Sequence, residues 1–179
     1  MSVTKDQIAD VVEKHVERFG YQKTTVDDIA AELGISKKTL YVHFDSKRDM
    51  YAYVVARIAR MTRAQLAAAI EPQPTYRKKV RALVGMVISQ ANQHIAETSE
   101  PDWRGEFEVA LDAFRDATGS LLQELIERGL AVGEFAVRDA MLARRMVSAM
   151  LVEYTLIVRD DPGYDRVGEL LAGVGRYLG

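Results

Sequence analysis

An all-α fold is predicted by three features of the 179-residue sequence. Apolar residues recur at helical spacing through most of the chain, only four prolines interrupt it, and no segment shows the alternation of a half-buried strand. Hydrophobic residues make up 48% and charged residues 28%, which suffices for a packed core and argues against intrinsic disorder. The spacing of apolar residues and breakers predicts about nine helices.

Three short helices are predicted at the N-terminus. The first follows apolar positions from Ile8 onward and stops at Gly20, a residue type that commonly ends helices. Thr25 and Ser36 are N-cap candidates for the second and third helices, and Gly34 lies in the turn between them. Two short helices joined by so tight a turn form the helix-turn-helix arrangement of DNA-binding proteins.

Longer helices are predicted in the rest of the chain. One begins at Ser46 and runs to about Ile70, where prolines follow at 72 and 74, and Thr75 can cap the next. Further helical stretches follow Pro101 and cover about 137–159 and 165–178.

Composition excludes several classes of protein. The 24 Lys and Arg against 26 Asp and Glu rule out a histone-like coat of positive charge, but residues 36–48 carry a local net charge of +3, from four basic residues and one acidic. The absence of cysteine excludes disulfides, thiolate zinc sites and a cysteine nucleophile, and we expect no metal and no cofactor. Without a signal sequence or a membrane-length apolar run, a cytoplasmic protein with no membrane contact is expected.

No enzyme motif occurs in the chain. HExxH, the phosphate-binding P-loop and GxSxG are all absent, and three histidines leave little acid–base chemistry. We therefore expect a binding protein rather than an enzyme. On periodicity alone, a three-helix bundle with a solvated basic face remains an alternative to DNA binding, and so does a helical protein-interaction module.

The residue pattern from Phe19 to Lys47 favours DNA binding. It reads F-G-Y-x-x-T-T-V-x-x-I-A-x-x-L-G-I-S-x-x-T-L-Y-x-H-F-x-x-K. Over about residues 7–54 the chain resembles the DNA-binding domain of the tetracycline-repressor (TetR) family. The resemblance implies a homodimeric bacterial transcription regulator, usually a repressor, that binds a near-palindromic operator in double-stranded DNA and is released by a small molecule. We accordingly predict a DNA-binding domain over residues 1–47 and an effector-binding and dimerisation domain over residues 48–179.

The resemblance also assigns roles to individual residues. Thr25 would contact phosphate, and so would Lys47, where backbone N–H groups of a helix start also favour an anion. The recognition surface would comprise Ser36, Lys37, Lys38, Thr39, Tyr41 and His43. Leu40 and Phe44 would belong to the core. Val42 stands where the family commonly has a polar or aromatic residue, and it suits a thymine methyl group better than a hydrogen bond.

The effector pocket is harder to predict, because aromatic and Met residues at helical spacing are more often core. Candidates to line it are Met86, Gln90, His94, Trp103, Phe107, Phe114, Met150, Glu153 and Tyr154. The polar members would need partners if buried, and a ligand can supply them. An anionic effector near Arg77, Lys78 or Lys79 is a second option. A solvent-exposed basic face that complements an acidic one is the simpler explanation of these basic residues.

The last two helices are predicted to form the dimer interface. The stretch Met146–Val158 is apolar almost all round, so both faces of this helix must be buried, one in its own domain and the other against a second copy of the chain. The final helix adds apolar residues between Val167 and Leu178, with glycines that permit close approach. A deeply buried central helix in a monomer is the alternative.

Overall fold

The computed structural model describes residues 3–97, 104–161 and 163–179, and for residues 92–97, 104–108, 110 and 111 it describes the backbone alone. The described part of the chain consists of helices joined by turns and contains no strand, which confirms the all-α prediction. It has eight helices where about nine were expected: α1 Lys5–Phe19, α2 Val26–Leu33, α3 Lys37–His43, α4 Lys47–Ile70, α5 Tyr76–Glu97, α6 Arg104–Ala131, α7 Ala140–Asp160 and α8 Val167–Leu178.

Side-chain caps set the starts of the short N-terminal helices. The Thr25 hydroxyl accepts the Asp28 N–H at 3.2 Å, and the Ser36 hydroxyl accepts the Thr39 N–H at 3.2 Å. Ahead of α4, the Ser46 hydroxyl accepts the Asp49 N–H at 3.0 Å. These three N-caps each satisfy a backbone donor that a helix start leaves unpaired, and the predicted cap at Thr75 is present as well, since its hydroxyl accepts the Lys78 N–H at 3.2 Å.

The turn between α2 and α3 depends on Gly34. Its φ of 65° lies in the left-handed region, which side chains disfavour. The N–H of Gly34 bonds to the carbonyl of Ala31 at 3.1 Å, and that of Ile35 bonds to the carbonyl of Ala30 at 3.0 Å. This pair of bonds is the Schellman motif, which ends α2 abruptly and sends the chain into α3.

The described residues divide into two compact units. The first holds α1, α2, α3 and α4 as far as Arg60, with the start of α6. Its core is a cluster of buried apolar side chains from α1 to α4: Ile8, Val12, Ile29, Leu40, Phe44, Met50 and Val54. Burial of Leu40 and Phe44 in this cluster leaves the opposite face of α3 to solvent.

A cluster of ion pairs joins α4 to α1 inside the first unit. The guanidinium of Arg57 lies 2.7 Å from the carboxylate of Asp10 and 2.5 Å from that of Glu13, and its side chain is only 18% exposed. The Tyr53 hydroxyl donates to Asp6 at 2.9 Å. The first turns of α4 are thereby held against α1, and with them the segment that follows α3.

The second unit has its own core, built from α4 after Arg60, the described parts of α5 and α6, and α7 and α8. Its most deeply buried side chains are Ile70, Val84, Ile126, Val147 and Leu178. Arg77 at the start of α5 donates to the backbone carbonyls of Glu134 and Gly179 and so holds the turn before α7 beside the end of α8. No helix among the described residues is both long and apolar enough to cross a membrane.

Candidate nucleic-acid interface

The outer face of α3 carries most of the predicted recognition residues. Ser36, Lys37, Lys38 and Tyr41 are exposed, while Thr39 and His43 are half-buried. Tyr41 is 49% exposed and Val42 is 75% exposed, an unusual amount of apolar surface for a seven-residue helix. Because Leu40 is fully buried, the opposite face of α3 is the one available for binding. This face is polar, apart from the apolar surface of Tyr41 and Val42.

Lys37 at the start of α3 is already paired. Its ammonium lies 2.7 Å from the carboxylate of Asp27 in α2, and both side chains are more than half exposed. The hydrogen bond that the ammonium donates to this carboxylate raises the pKa of Lys37, so the side chain stays charged. A DNA phosphate or base that binds Lys37 must therefore compete with Asp27, a partner that the sequence did not predict.

The hydroxyl of Thr25 is also engaged. It lies 2.6 Å from a carboxylate oxygen of Asp28, and because an ionised carboxylate can only accept, the hydroxyl is the donor. Its assignment to phosphate remains a prediction. In that role the hydroxyl would have to leave Asp28, or the backbone at the start of α2 would provide the donor.

Lys47 has an internal role that its spacing did not reveal. Its ammonium donates to the backbone carbonyls of Tyr21 at 2.8 Å and Thr24 at 2.9 Å, and it lies 4.1 Å from the centre of the Tyr21 ring. An ammonium has three N–H donors, so one remains for a phosphate. Lys47 thus ties the start of α4 to the turn that precedes α2.

Several exposed cations near this surface have no described carboxylate within 4 Å. They are Lys23 in the turn before α2, Lys38 on α3 and Arg48 at the start of α4. Lys23 and Arg48 were not among the predicted site residues, although Arg48 contributed to the positive charge counted in its segment. Unpaired cations are the groups whose counterions a polyanion releases most readily.

The described members of the predicted effector set have different surroundings. Met86 and Gln90 line an open groove of about 250 Å³ between α4 and α5, together with Gln65, Leu66, Ala69 and Ser89. Met150 packs partly buried against the second core, and Glu153 is exposed. Tyr154 is buried, and its hydroxyl accepts the Arg166 N–H at 3.1 Å, as expected of a core residue. Phe114 belongs to the first unit. Trp103 and the side chains of His94 and Phe107 lie outside the described residues.

The basic group at the start of α5 is largely committed to internal contacts. Arg77 bonds to the backbone carbonyls named above, and Lys79 lies 2.7 Å from Glu71, whose pKa this hydrogen bond lowers. These contacts favour structural pairing over an anion site there. Within the described residues, no group of three His, Asp or Glu side chains could hold a metal ion.

A helix-turn-helix with an exposed, partly basic second helix is the arrangement by which many transcription regulators bind DNA. Residues 13–54 match the family described as bacterial regulatory proteins, tetR family. Over this segment the chain is similar to the TetR family of transcription regulators.

Two curated relatives extend this likeness. One is the biofilm operon negative transcriptional regulator IcaR of Staphylococcus aureus, 47% identical over 47 residues, which are 26% of this chain and 25% of IcaR. The other is the transcriptional activator FasR of Mycolicibacterium smegmatis, 31% identical over 112 residues, or 58% of this chain and 51% of FasR. The chain thus spans a quarter to half of the length of these relatives.

The fold is also that of a solved regulator. A structure of FadR from Bacillus subtilis in complex with stearoyl-CoA aligns with a TM-score of 0.58 at 22% identity, over 98% of this chain and 97% of that one. At this level of identity the likeness concerns the fold alone.

Proposed function

We propose that this chain is a homodimeric transcriptional repressor that binds a near-palindromic operator through α3 of each subunit and is released by a small molecule. The observation that carries the proposal is the exposed face of α3, with Lys37, Lys38 and Tyr41 directed away from a core that fixes the helix through Leu40 and Phe44. Repression is favoured because IcaR is named as a negative regulator.

Dimerisation is supported by the surface of α7. Six large apolar side chains of this helix are between 37% and 57% exposed: Met141, Leu142, Met146, Val152, Leu156 and Ile157. Solvent-exposed apolar rows of this kind are characteristic of protein–protein interfaces, and a two-fold axis lets one patch cover its own copy. On α8, Cβ atoms built at Gly168 and Gly175 would meet nothing within 4 Å, which suits close approach of a second helix.

Effector release requires a ligand that binds the DNA-incompetent arrangement more tightly than the competent one. The proposal places this effect in the second unit and its transmission in α4, whose residues contribute to both units. Ligand binding by FadR supports a ligand-responsive role without naming the ligand here.

The test is selection of DNA sites from a random library with the full-length chain, followed by a binding titration. The expected result is enrichment of an inverted repeat whose half-sites are centred roughly 34 to 36 Å apart, one turn of DNA or a multiple of it. A transcription assay on that site then separates repression from the activation for which FasR is named. Recovery of no sequence preference would contradict the proposal.

A further inference from the structure

The outward face of α7 is centred on Ala149, an exposed residue near the middle of the helix. Positions seven residues apart lie on nearly the same side of an α-helix, and Leu142 and Leu156, each seven residues from Ala149, are exposed as well. The opposite side of α7 carries its buried side chains: Ala143, Val147, Tyr154 and Val158. The row through Ala149 therefore faces away from the core of the second unit.

Exposed apolar side chains lie in matched pairs on the two sides of Ala149. The members of each pair stand three, seven or eight residues before and after it: Met146 and Val152, Leu142 and Leu156, and Met141 and Ile157. All six are large apolar side chains, and each is at least 37% exposed. The apolar pattern of this face is thus the same in both directions from Ala149.

One matched pair on this face is charged. Arg145 and Glu153 lie four residues before and after Ala149, and both are exposed. Neither has an ion-pair partner among the described side chains. Within one helix they are eight residues apart, about 12 Å along the axis at 1.5 Å per residue, and they do not pair with each other. A cation and an anion thus stand at equal distances from the centre of an otherwise apolar face.

We propose that α7 packs against α7 of a second copy of the chain, antiparallel and about a two-fold axis at Ala149, with Arg145 paired to the partner's Glu153. In a two-fold contact, a residue that meets a second residue is met by it in turn. For antiparallel helices, residues at equal distances on opposite sides of the axis therefore lie opposite each other. Each apolar pair then packs together, and two ion pairs form, one on either side of the small Ala149. This contact rests on the proposed function, and to its homodimer it adds the direction, the register and the charges that select a second copy.

The charges disfavour other arrangements of the same two helices. A parallel pair of α7 helices about a two-fold axis would place Arg145 against its own copy, and like charges at an interface repel each other. An axis moved by one helical turn would lie between Arg145 and Met146, or between Val152 and Glu153. Either position would set a charge opposite an apolar side chain and bury it without a partner, which is strongly unfavourable. Of these arrangements, only the antiparallel one centred on Ala149 pairs both charges.

A single introduced cysteine tests whether Ala149 lies at the axis. The chain has no cysteine of its own, so oxidation of Ala149→Cys with diamide can form a disulfide only between two copies. We expect a covalent dimer on a non-reducing gel, because the Cα atoms of a disulfide lie about 4.4–6.8 Å apart and a two-fold axis at this residue brings the two sulfur atoms together. Val132→Cys is the control, an exposed apolar residue outside α7 and α8, and it should stay largely monomeric on the gel.

Charge reversal tests the ion pairs and the antiparallel direction. Arg145→Glu and Glu153→Arg should each raise the dissociation constant of the dimer roughly tenfold or more, because each variant creates two contacts between like charges. Sedimentation measures this constant, and Arg81→Glu on α5 is the matched control, an exposed arginine without a described carboxylate partner that should dimerise as wild type does. An equimolar mixture of the two reversed variants should form heterodimers well beyond random pairing in native mass spectrometry, because every contact between the two positions then joins opposite charges. The chain that carries both substitutions should dimerise as wild type does.

The proposal is overturned if Ala149→Cys cross-links no better than Val132→Cys, if both charge-reversed variants dimerise as tightly as wild type, or if their mixture pairs at random. Any of these results with a dimeric wild type refutes this contact alone and leaves the proposed function standing. A wild type that is monomeric at micromolar concentration contradicts the homodimer of the proposed function itself.

Discussion

The ammonium of Lys47 lies 2.8 Å from the backbone carbonyl oxygen of Tyr21, and it also bonds to the carbonyl of Thr24. The residue that the family resemblance assigns to phosphate therefore also closes the turn before α2. The Lys47 side chain would thus contribute both to the stability of the fold and to DNA affinity, and experiment can separate these two contributions.

Replacement of Lys47 by alanine should weaken both folding and DNA binding. Two charge-assisted hydrogen bonds are lost, so we expect the free energy of unfolding to fall by about 1–2 kcal/mol. Chemical denaturation measures this change. Lys38→Ala is the control, because Lys38 is exposed and has no described carboxylate partner. Its stability should hold, while the slope of log affinity against log salt should flatten by about one for each subunit of the proposed dimer. Unchanged stability of Lys47→Ala would show that the two internal bonds contribute nothing.

Asp27→Asn should strengthen DNA binding. The carboxylate of Asp27 holds the Lys37 ammonium at 2.7 Å and adds a negative charge next to the proposed interface. Exposed ion pairs are worth up to about 1 kcal/mol, so we expect a gain of severalfold in affinity at low salt that diminishes at high salt. Fluorescence anisotropy measures it, with Asp165→Asn in the second unit as the control. Weaker binding by Asp27→Asn would mean that Asp27 positions Lys37 for DNA rather than competing for it.

Val42 should read a thymine methyl group. This side chain is 75% exposed on α3 and has no group that can form a hydrogen bond with a base. Replacing thymine by uracil at one position of a single half-site should weaken binding about fourfold, the effect of roughly 0.8 kcal/mol for one buried methyl group. Val42→Ala should reduce this sensitivity to uracil. If no thymine in the operator shows the effect with wild type, Val42 does not read the base sequence.

Leu156→Glu should convert the proposed dimer to a monomer. The side chain is 38% exposed on the apolar face of α7, and a charge buried at an interface without a partner is strongly unfavourable. Leu151, on the same helix, is a poorer choice because it is half-buried and lines a small crevice between α5, α6 and α7. Light scattering measures the change, and Val132→Glu is the control, a 60% exposed apolar residue outside α7 and α8. A dimer that persists in Leu156→Glu at micromolar concentration would place the interface elsewhere.

The sequence predicted the parts of this fold that are local in the chain. Thr25, Ser36 and Ser46 each cap a backbone N–H three residues away, and Gly34 allows the tight turn between α2 and α3. Spacing and residue type determine such features within one or two turns of helix. The helix-turn-helix could therefore be predicted before any tertiary contact was known.

Contacts between distant residues could not be predicted in this way. The bonds of Lys47 span more than twenty residues, and the seating of Arg144 against Gly119 joins two long helices. Periodicity shows that a side chain lies on an inner face but not which partner it meets there. For the same reason Tyr154, a predicted pocket residue, is found buried with its hydroxyl bonded to the backbone at Arg166.

Sequence-specific binding through α3 is the central claim, and a salt titration of anisotropy with the selected operator and a scrambled duplex tests it most directly. Wild type should prefer the operator by about 1,000-fold or more at physiological salt. Tyr41→Ala should reduce that preference by roughly 1–3 kcal/mol while keeping the wild-type circular dichroism spectrum. Equal affinity of wild type for both duplexes, or an unaltered preference in a folded Tyr41→Ala, would contradict the assignment of α3 as the recognition helix.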